Sequence, residues 1–183
     1  MVQGIIIPAD NTAPLKTATL DSREDYQRAV EGWMEAVDIA DLGVTMYVHE
    51  EGLVLGLPFN SRATFLWWYY VPAARQKAML VGPALVAGLP DRNGDSTDIP
   101  RDTAGLLSQP GKWRVEARPK AEPDWTQIPG TYDDYFEALV WAMVTLERWH
   151  DAEDVRVAPV RPGIATMPIR ASDAADLEHP PAV

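Results

Sequence analysis

Cysteine is absent from the 183-residue chain, which excludes a disulfide framework, thiolate metal sites and cysteine nucleophiles. Histidine is scarce, at three residues, so imidazole-based sites have few candidates. Positive charge is short as well: 16 Lys and Arg against 27 Asp and Glu give a formal net charge of −11. The deficit is spread along the chain, with 8 basic and 14 acidic side chains up to Pro110 and 8 and 13 beyond it. Such a chain repels phosphate backbones at long range, and binding to duplex DNA is not expected. Long apolar runs are missing too. The longest, residues 65–71, is crowded with aromatics and falls far below the roughly 20 residues a membrane-spanning helix needs. The start MVQGIIIPADN has no charged region ahead of a long apolar stretch, so it does not read as a signal peptide. A cytoplasmic protein with no membrane association is expected. No phosphate loop, dinucleotide fingerprint, Gly-x-Ser-x-Gly elbow or kinase set is present, and no cofactor is expected. Enzymatic activity is left open, because carboxylate chemistry leaves no short motif.

What is present reads as an α+β chain. Residues 3–8 form a strand-sized apolar block ending at Pro8, and residues 10–19 are turn-rich. Ser22 caps a helix, with Asp25 completing an approximate capping box. Tyr26, Ala29, Val30, Trp33, Met34 and Val37 continue it at helical spacing. Residues 44–49 alternate as a strand, Glu50-Glu51-Gly52 supplies a hairpin turn, and residues 53–57 return as a second strand. Asn60 caps a helix through residues 62–70, which Pro72 stops. Residues 79–89 read as a further strand, interrupted at Gly82-Pro83. The order β-α-β-β-α-β is that of the split βαβ, or ferredoxin-like, arrangement.

Domain boundaries follow from composition. Residues 1–90 form the first domain, and residues 91–110, rich in Asp, Gly, Asn, Ser and Thr, read as a linker. Residues 111–160 form a small β-α-β module. In it Trp113, Val115 and Ala117 alternate with Lys112, Arg114, Glu116 and Arg118. Thr131 caps a long helix with Asp133 and Asp134 in its first turn, and Phe136, Leu139, Val140, Met143 and Leu146 form its apolar stripe. Residues 155–160 close the module. Residues 161–183 contain proline, lack periodicity and read as an irregular tail.

Several pieces of the first half resemble one family. They are Gln27, Val30, Gly32, Trp33, Glu35 and Val37, then Tyr47-Val48-His49-Glu50-Glu51-Gly52, Leu57-Pro58 with Asn60, Ala63-Thr64, and Gly82-Pro83-Ala84-Leu85-Val86. In order and spacing they resemble the uncharacterised domain-of-unknown-function family number 3846 over about residues 4–89. That family is found in phages, plasmids and other mobile elements. The resemblance implies a genomic setting, with the host cytoplasm as location if the chain is phage-encoded, and no particular reaction.

Candidate site residues divide by chemistry. Gln27, Glu35, Glu50, Glu51 and Asn60 coincide with the family pattern and are candidates for a shared binding site; their local roles as helix cap and solvated turn or helix surface compete with that reading. His49-Glu50-Glu51 invites a metal or acid–base reading, but adjacent strand side chains diverge, and Leu53 stands where a zinc-binding helix needs its second histidine. His150-Asp151 with Glu153-Asp154 has no fixed ligand spacing. Lys112, Arg114, Arg118 and Arg156 would make a basic stripe, which Glu116 interrupts. Trp67-Trp68-Tyr69-Tyr70 is the least ordinary run. On a helix, four consecutive rings rotate by about 100° each, so Trp67 or Trp68 is expected at the surface as a binding anchor.

The function expected from these features is that of an accessory protein of a phage or mobile element. It would act by protein binding, with inhibition of a host or defence enzyme through an acidic surface as the sharp form. The partner would be a host or phage protein, with a second copy of the chain as a further partner. Two alternatives stand beside it: a small-ligand or nucleotide-binding module built on the polar set, and a hydrolase with a carboxylate-bound metal.

Overall fold

The three consecutive isoleucines near the start enter a strand as expected, β1 (Val2–Ile7). The computed structural model describes residues 1–160, so the expected irregular tail lies outside the described residues. The second half of the supposed turn-rich stretch is also a strand, β2 (Lys16–Leu20), paired antiparallel with β1. Thr17 and Thr19 supply the β-branched positions that favour this; the turn residues between Pro8 and Pro14 are only the hairpin loop.

Helix α1 (Arg23–Val30) starts at Ser22, and the Asp25 carboxylate accepts the backbone N–H groups of Asp21 and Ser22 at 3.0 Å each. The helix stops seven residues earlier than its apolar spacing suggests. Glu31 takes a left-handed conformation at φ 64° and Gly32 follows. Gly32 packs directly on His49: a Cβ there would sit 2.1 Å from the imidazole Nε2. Trp33 to Val37 therefore belong with the strand β3 (Met34–Ile39), which pairs antiparallel along its whole length with β4 (Val44–His49).

Residues 53–57 do not return as a strand. Both sides of β4 are already taken, by β3 and by β5 (Ala84–Gly88), so no ladder is left to join. The stretch instead forms consecutive turns, with Gly56 at φ 67°. Helix α2 (Ser61–Tyr70) follows, capped by Asn60 and ended before Pro72 as expected.

The five strands run in the order β2-β1-β5-β4-β3, every pairing antiparallel. This is not the split βαβ order, in which the first strand lies beside the third of the four: here β5 separates β1 from β4. The α+β class holds; the ferredoxin-like order does not.

The supposed linker contains a helix, α3 (Arg101–Ser108), whose Leu107 is buried and whose Thr103 hydroxyl donates to the Leu42 carbonyl at 2.7 Å. Averaged composition hid eight helical residues behind a polar loop. Next come β6 (Trp113–Pro119), the short β7 (Thr126–Gln127), α4 (Tyr135–Arg148) and β8 (Ala152–Pro159). The second sheet has the order β7-β6-β8. Asp134, not Thr131, caps α4, accepting the Phe136 N–H at 2.7 Å.

Packing gives four layers. Helix α1 covers one face of the first sheet through Val30, Leu20, Tyr47 and Leu85. On the other face, Ile5, Ile7, Val44, Met46 and Val86 meet Leu66 of α2, Leu107 of α3 and Tyr135, Phe136 and Leu139 of α4 in one core. Helix α4 then covers the second sheet with Ala142 and Met143 against Val115, Ala117 and Val155. The first core therefore runs across the expected domain boundary.

Candidate functional site

The seven residues singled out from sequence are not gathered in one place. Asn60 is fully buried: its Oδ1 accepts the Ala63 N–H at 3.0 Å, and its Nδ2 donates to the carbonyls of Ile7 and Gly82 at 2.9 Å each. All its polar capacity except one lone pair is spent capping α2 and holding it to the end of β1 and to the segment ahead of β5. Gln27 is half-buried on α1, and its carbonyl accepts the Gly32 N–H. Glu35 is exposed on β3, and Glu50 and Glu51 are exposed on the turn after β4. The Glu51 N–H donates to Nδ1 of the buried His49 at 3.1 Å. That contact, with Gly32 against the far side of the ring, commits His49 to packing.

Neither tryptophan of the aromatic run is an exposed anchor. Trp67 packs half-buried against the first core, while Trp68 and Phe65 pack against the second in an edge-to-face pair. Helix α2 lies between two cores, so rings around most of its circumference find apolar partners. The Trp68 indole N–H donates to the Ala78 carbonyl at 2.8 Å. The tyrosines tie the halves together: Tyr70 and Tyr135 hydroxyls are 2.6 Å apart, and the Tyr69 hydroxyl accepts the Val157 N–H at 3.0 Å. Burial pushes all three phenols above their ordinary value.

The basic stripe is neutralised within its own sheet. Glu116, buried on β6, accepts from Arg114 at 2.7 Å and from Arg156 at 2.6 Å. Arg156 and Arg118 lie over the Trp125 ring at 4.3 and 5.3 Å, and Lys112 pairs with Asp133. Burial pushes the Glu116 carboxyl up, but the two arginines outweigh it and hold it below the ordinary carboxylate range. Among the described residues, no group of three or more His, Cys, Asp or Glu side chains is placed to hold a metal ion, and no helix is long and apolar enough to cross a membrane.

A cleft of about 500 Å³ lies between the β1–β2 loop, α3 and the start of α4. Of its two cations, Lys16 and Arg62, the second is buried and donates to the carbonyls of Pro8, Asp10 and Ala13 at 2.7–3.0 Å. Arg62 thereby pins the loop, and most of its donors are consumed.

The surface feature that the sequence reading missed is the turn after β4. Leu53, Val54 and Leu55 are 61%, 89% and 59% exposed. Phe59 and Met79, also exposed, line a small apolar cleft with Trp68 and Ala78. Trp33, 58% exposed, stands at the near end of β3, where its carbonyl accepts the Glu50 N–H at 2.8 Å. The signal was available: three apolar residues between Gly52 and Gly56 have turn chemistry on both sides.

Residues 2–110 match the model of the family described as Domain of unknown function (DUF3846). The match reaches through α3, past the boundary expected at residue 90. No curated protein and no solved structure matches the chain.

Proposed function

The chain belongs to the DUF3846 family, and from that membership, which fixes no reaction, we propose that it acts by binding another protein. The reading is carried by the exposed Leu53-Val54-Leu55 turn, with Phe59 and Met79 exposed as well. Apolar side chains held in contact with water on an ordered turn lower stability or leave it unchanged, and such patches mark interaction sites. Glu50 and Glu51 border the patch, and the chain carries a net charge of −11. This charge steers the encounter toward a partner with a basic surface around an apolar pocket. In its wider form the proposal places the chain among the accessory proteins of a phage or mobile element, with a host enzyme as the partner it occupies.

The test is capture of partners from host lysate by wild type and by Val54→Asp, with thermal melts of both. The expected result is a partner held by wild type and lost with Val54→Asp, while the melting temperature stays within a few degrees, since the side chain contributes little to the core. Equal capture by both proteins would place the binding surface elsewhere.

A further inference from the structure

Every open sheet must deal with its edges, because unpaired N–H and C=O groups template the addition of another strand. Three of the four edges here carry a feature that discourages strand addition. Strand β2 is short, and it carries Lys16 and follows Pro14. Strand β7 has two residues. Strand β8 is long, but two of its outward N–H groups are occupied. The Val160 N–H donates to the Lys112 carbonyl, which fixes the even residues of β8 as those facing β6. Of the outward odd residues, the Val157 N–H is taken by the Tyr69 hydroxyl, the Val155 N–H by the Asp154 carboxylate at 2.9 Å, and Pro159 has none.

The β3 edge is different. The Glu50 N–H to Trp33 carbonyl bond sets the parity of the ladder, so Trp33, Glu35, Val37 and Ile39 bond to β4 and Met34, Ala36 and Asp38 turn their main-chain groups outward. Among the described residues, no hydrogen bond reaches those groups. The strand has six residues, no proline, no lysine and an unbroken register. Glu35, Ala36 and Asp38 are exposed.

The charge around this edge selects its occupant. Between Arg28 and Arg62 the chain has no lysine or arginine and six acids, Glu31, Glu35, Asp38, Asp41, Glu50 and Glu51; from α1, Arg23 lies over the Trp33 ring at 5.5 Å, so the acidic stretch of the edge begins beyond Trp33. Glu35 and Asp38 lie on opposite faces of the sheet. A second copy would bring six more carboxylates to the same edge, so self-pairing is opposed, whereas a strand carrying cations is favoured. We propose that the outer edge of β3 is a docking strand for an extended basic segment of a partner polypeptide, which adds to the five-stranded sheet through Met34, Ala36 and Asp38. This mode takes its affinity from main-chain bonds and its selectivity from alternate side chains. It is separate from the Leu53–Leu55 surface, and its test reads different residues.

The probe is a blocked octapeptide alternating Lys and Val, with its Glu–Val counterpart as control. One register puts its lysines opposite Glu35, the other opposite Asp38. Binding by fluorescence anisotropy is expected for the Lys peptide alone and should weaken by about tenfold or more at 0.5 M salt, where the Debye length falls to roughly 4 Å. Amide exchange should slow at Met34, Ala36 and Asp38. Ala36→Pro removes an outward N–H without touching the β4 ladder, so it should abolish binding and leave the melt nearly unchanged. Should Ala36→Pro fail to fold, Glu35→Lys, which keeps the Thr45 hydroxyl bond to Asp38, should shift the preference away from the Lys peptide toward the Glu peptide. No binding of the Lys peptide, binding that survives Ala36→Pro, or a preference unmoved by charge reversal would each overturn the proposal. So would a wild-type dimer in sedimentation that Ala36→Pro dissociates, which would identify a second copy as the occupant.

Discussion

Glu116 is the residue on which the charge of the second sheet turns. Its carboxylate joins Arg114 on its own strand to Arg156 on β8, and in doing so it converts a stripe of cations into an internal network. Burial raises its pKa, and the two arginines lower it by more, leaving it below the usual 4.5. A depressed folded pKa means that the stabilisation is present above about pH 4.5 and is lost as the pH falls through the folded value. Glu116→Gln should therefore cost about 2 kcal/mol at neutral pH. The gap to wild type should close progressively on acidification below pH 4.5. Urea titrations of both proteins across that range check it; a gap independent of pH would show that the arginines do not hold the charge. The variant also frees two guanidinium groups, so it is the one expected to gain weak affinity for polyanions.

At the scale of elements, α2 holds the chain's most informative discrepancy. Its boundaries were legible: Asn60 caps it and Pro72 stops it. The fate of its rings was not, because helical periodicity reports one buried face and this helix has two. Trp67 sits against one core and Trp68 against the other. Each alanine substitution should therefore lower stability by roughly 3 kcal/mol, and Trp67→Ala should not selectively lose a partner. Melts and partner capture decide between this and a surface anchor. The other discrepancies share a cause. The spacing of Trp33, Met34 and Val37 fits a helix and a half-buried strand equally, and the choice was made by Gly32 pressing on His49 and by pairing with β4, a contact distant in sequence. Likewise residues 53–57 had the composition of a strand, yet the edge they would have needed was taken by β3. Local chemistry (caps, turns, alternation in β4 and β6) could be read from sequence. Strand order could not, since it depends on which distant segments reach an edge first.

At the scale of the molecule, the family-matched residues 2–110 and residues 111–160 share one core, in which Leu66 and Val86 meet Tyr135 and Leu139. Urea unfolding should accordingly be a single transition, with tryptophan fluorescence and far-ultraviolet circular dichroism coinciding. Trp67 and Trp113 report the first core and Trp68 and Trp149 the second; two separated transitions would show that the cores melt independently. The Tyr69 hydroxyl adds a sharper coupling, because a residue inside the matched stretch occupies an N–H on a strand outside it. A unit of inheritance is thus not a unit of assembly. Grafting the second sheet onto another carrier would bring an eight-residue strand without its tyrosine guard. The price of that recombination would be a new template for fibre growth.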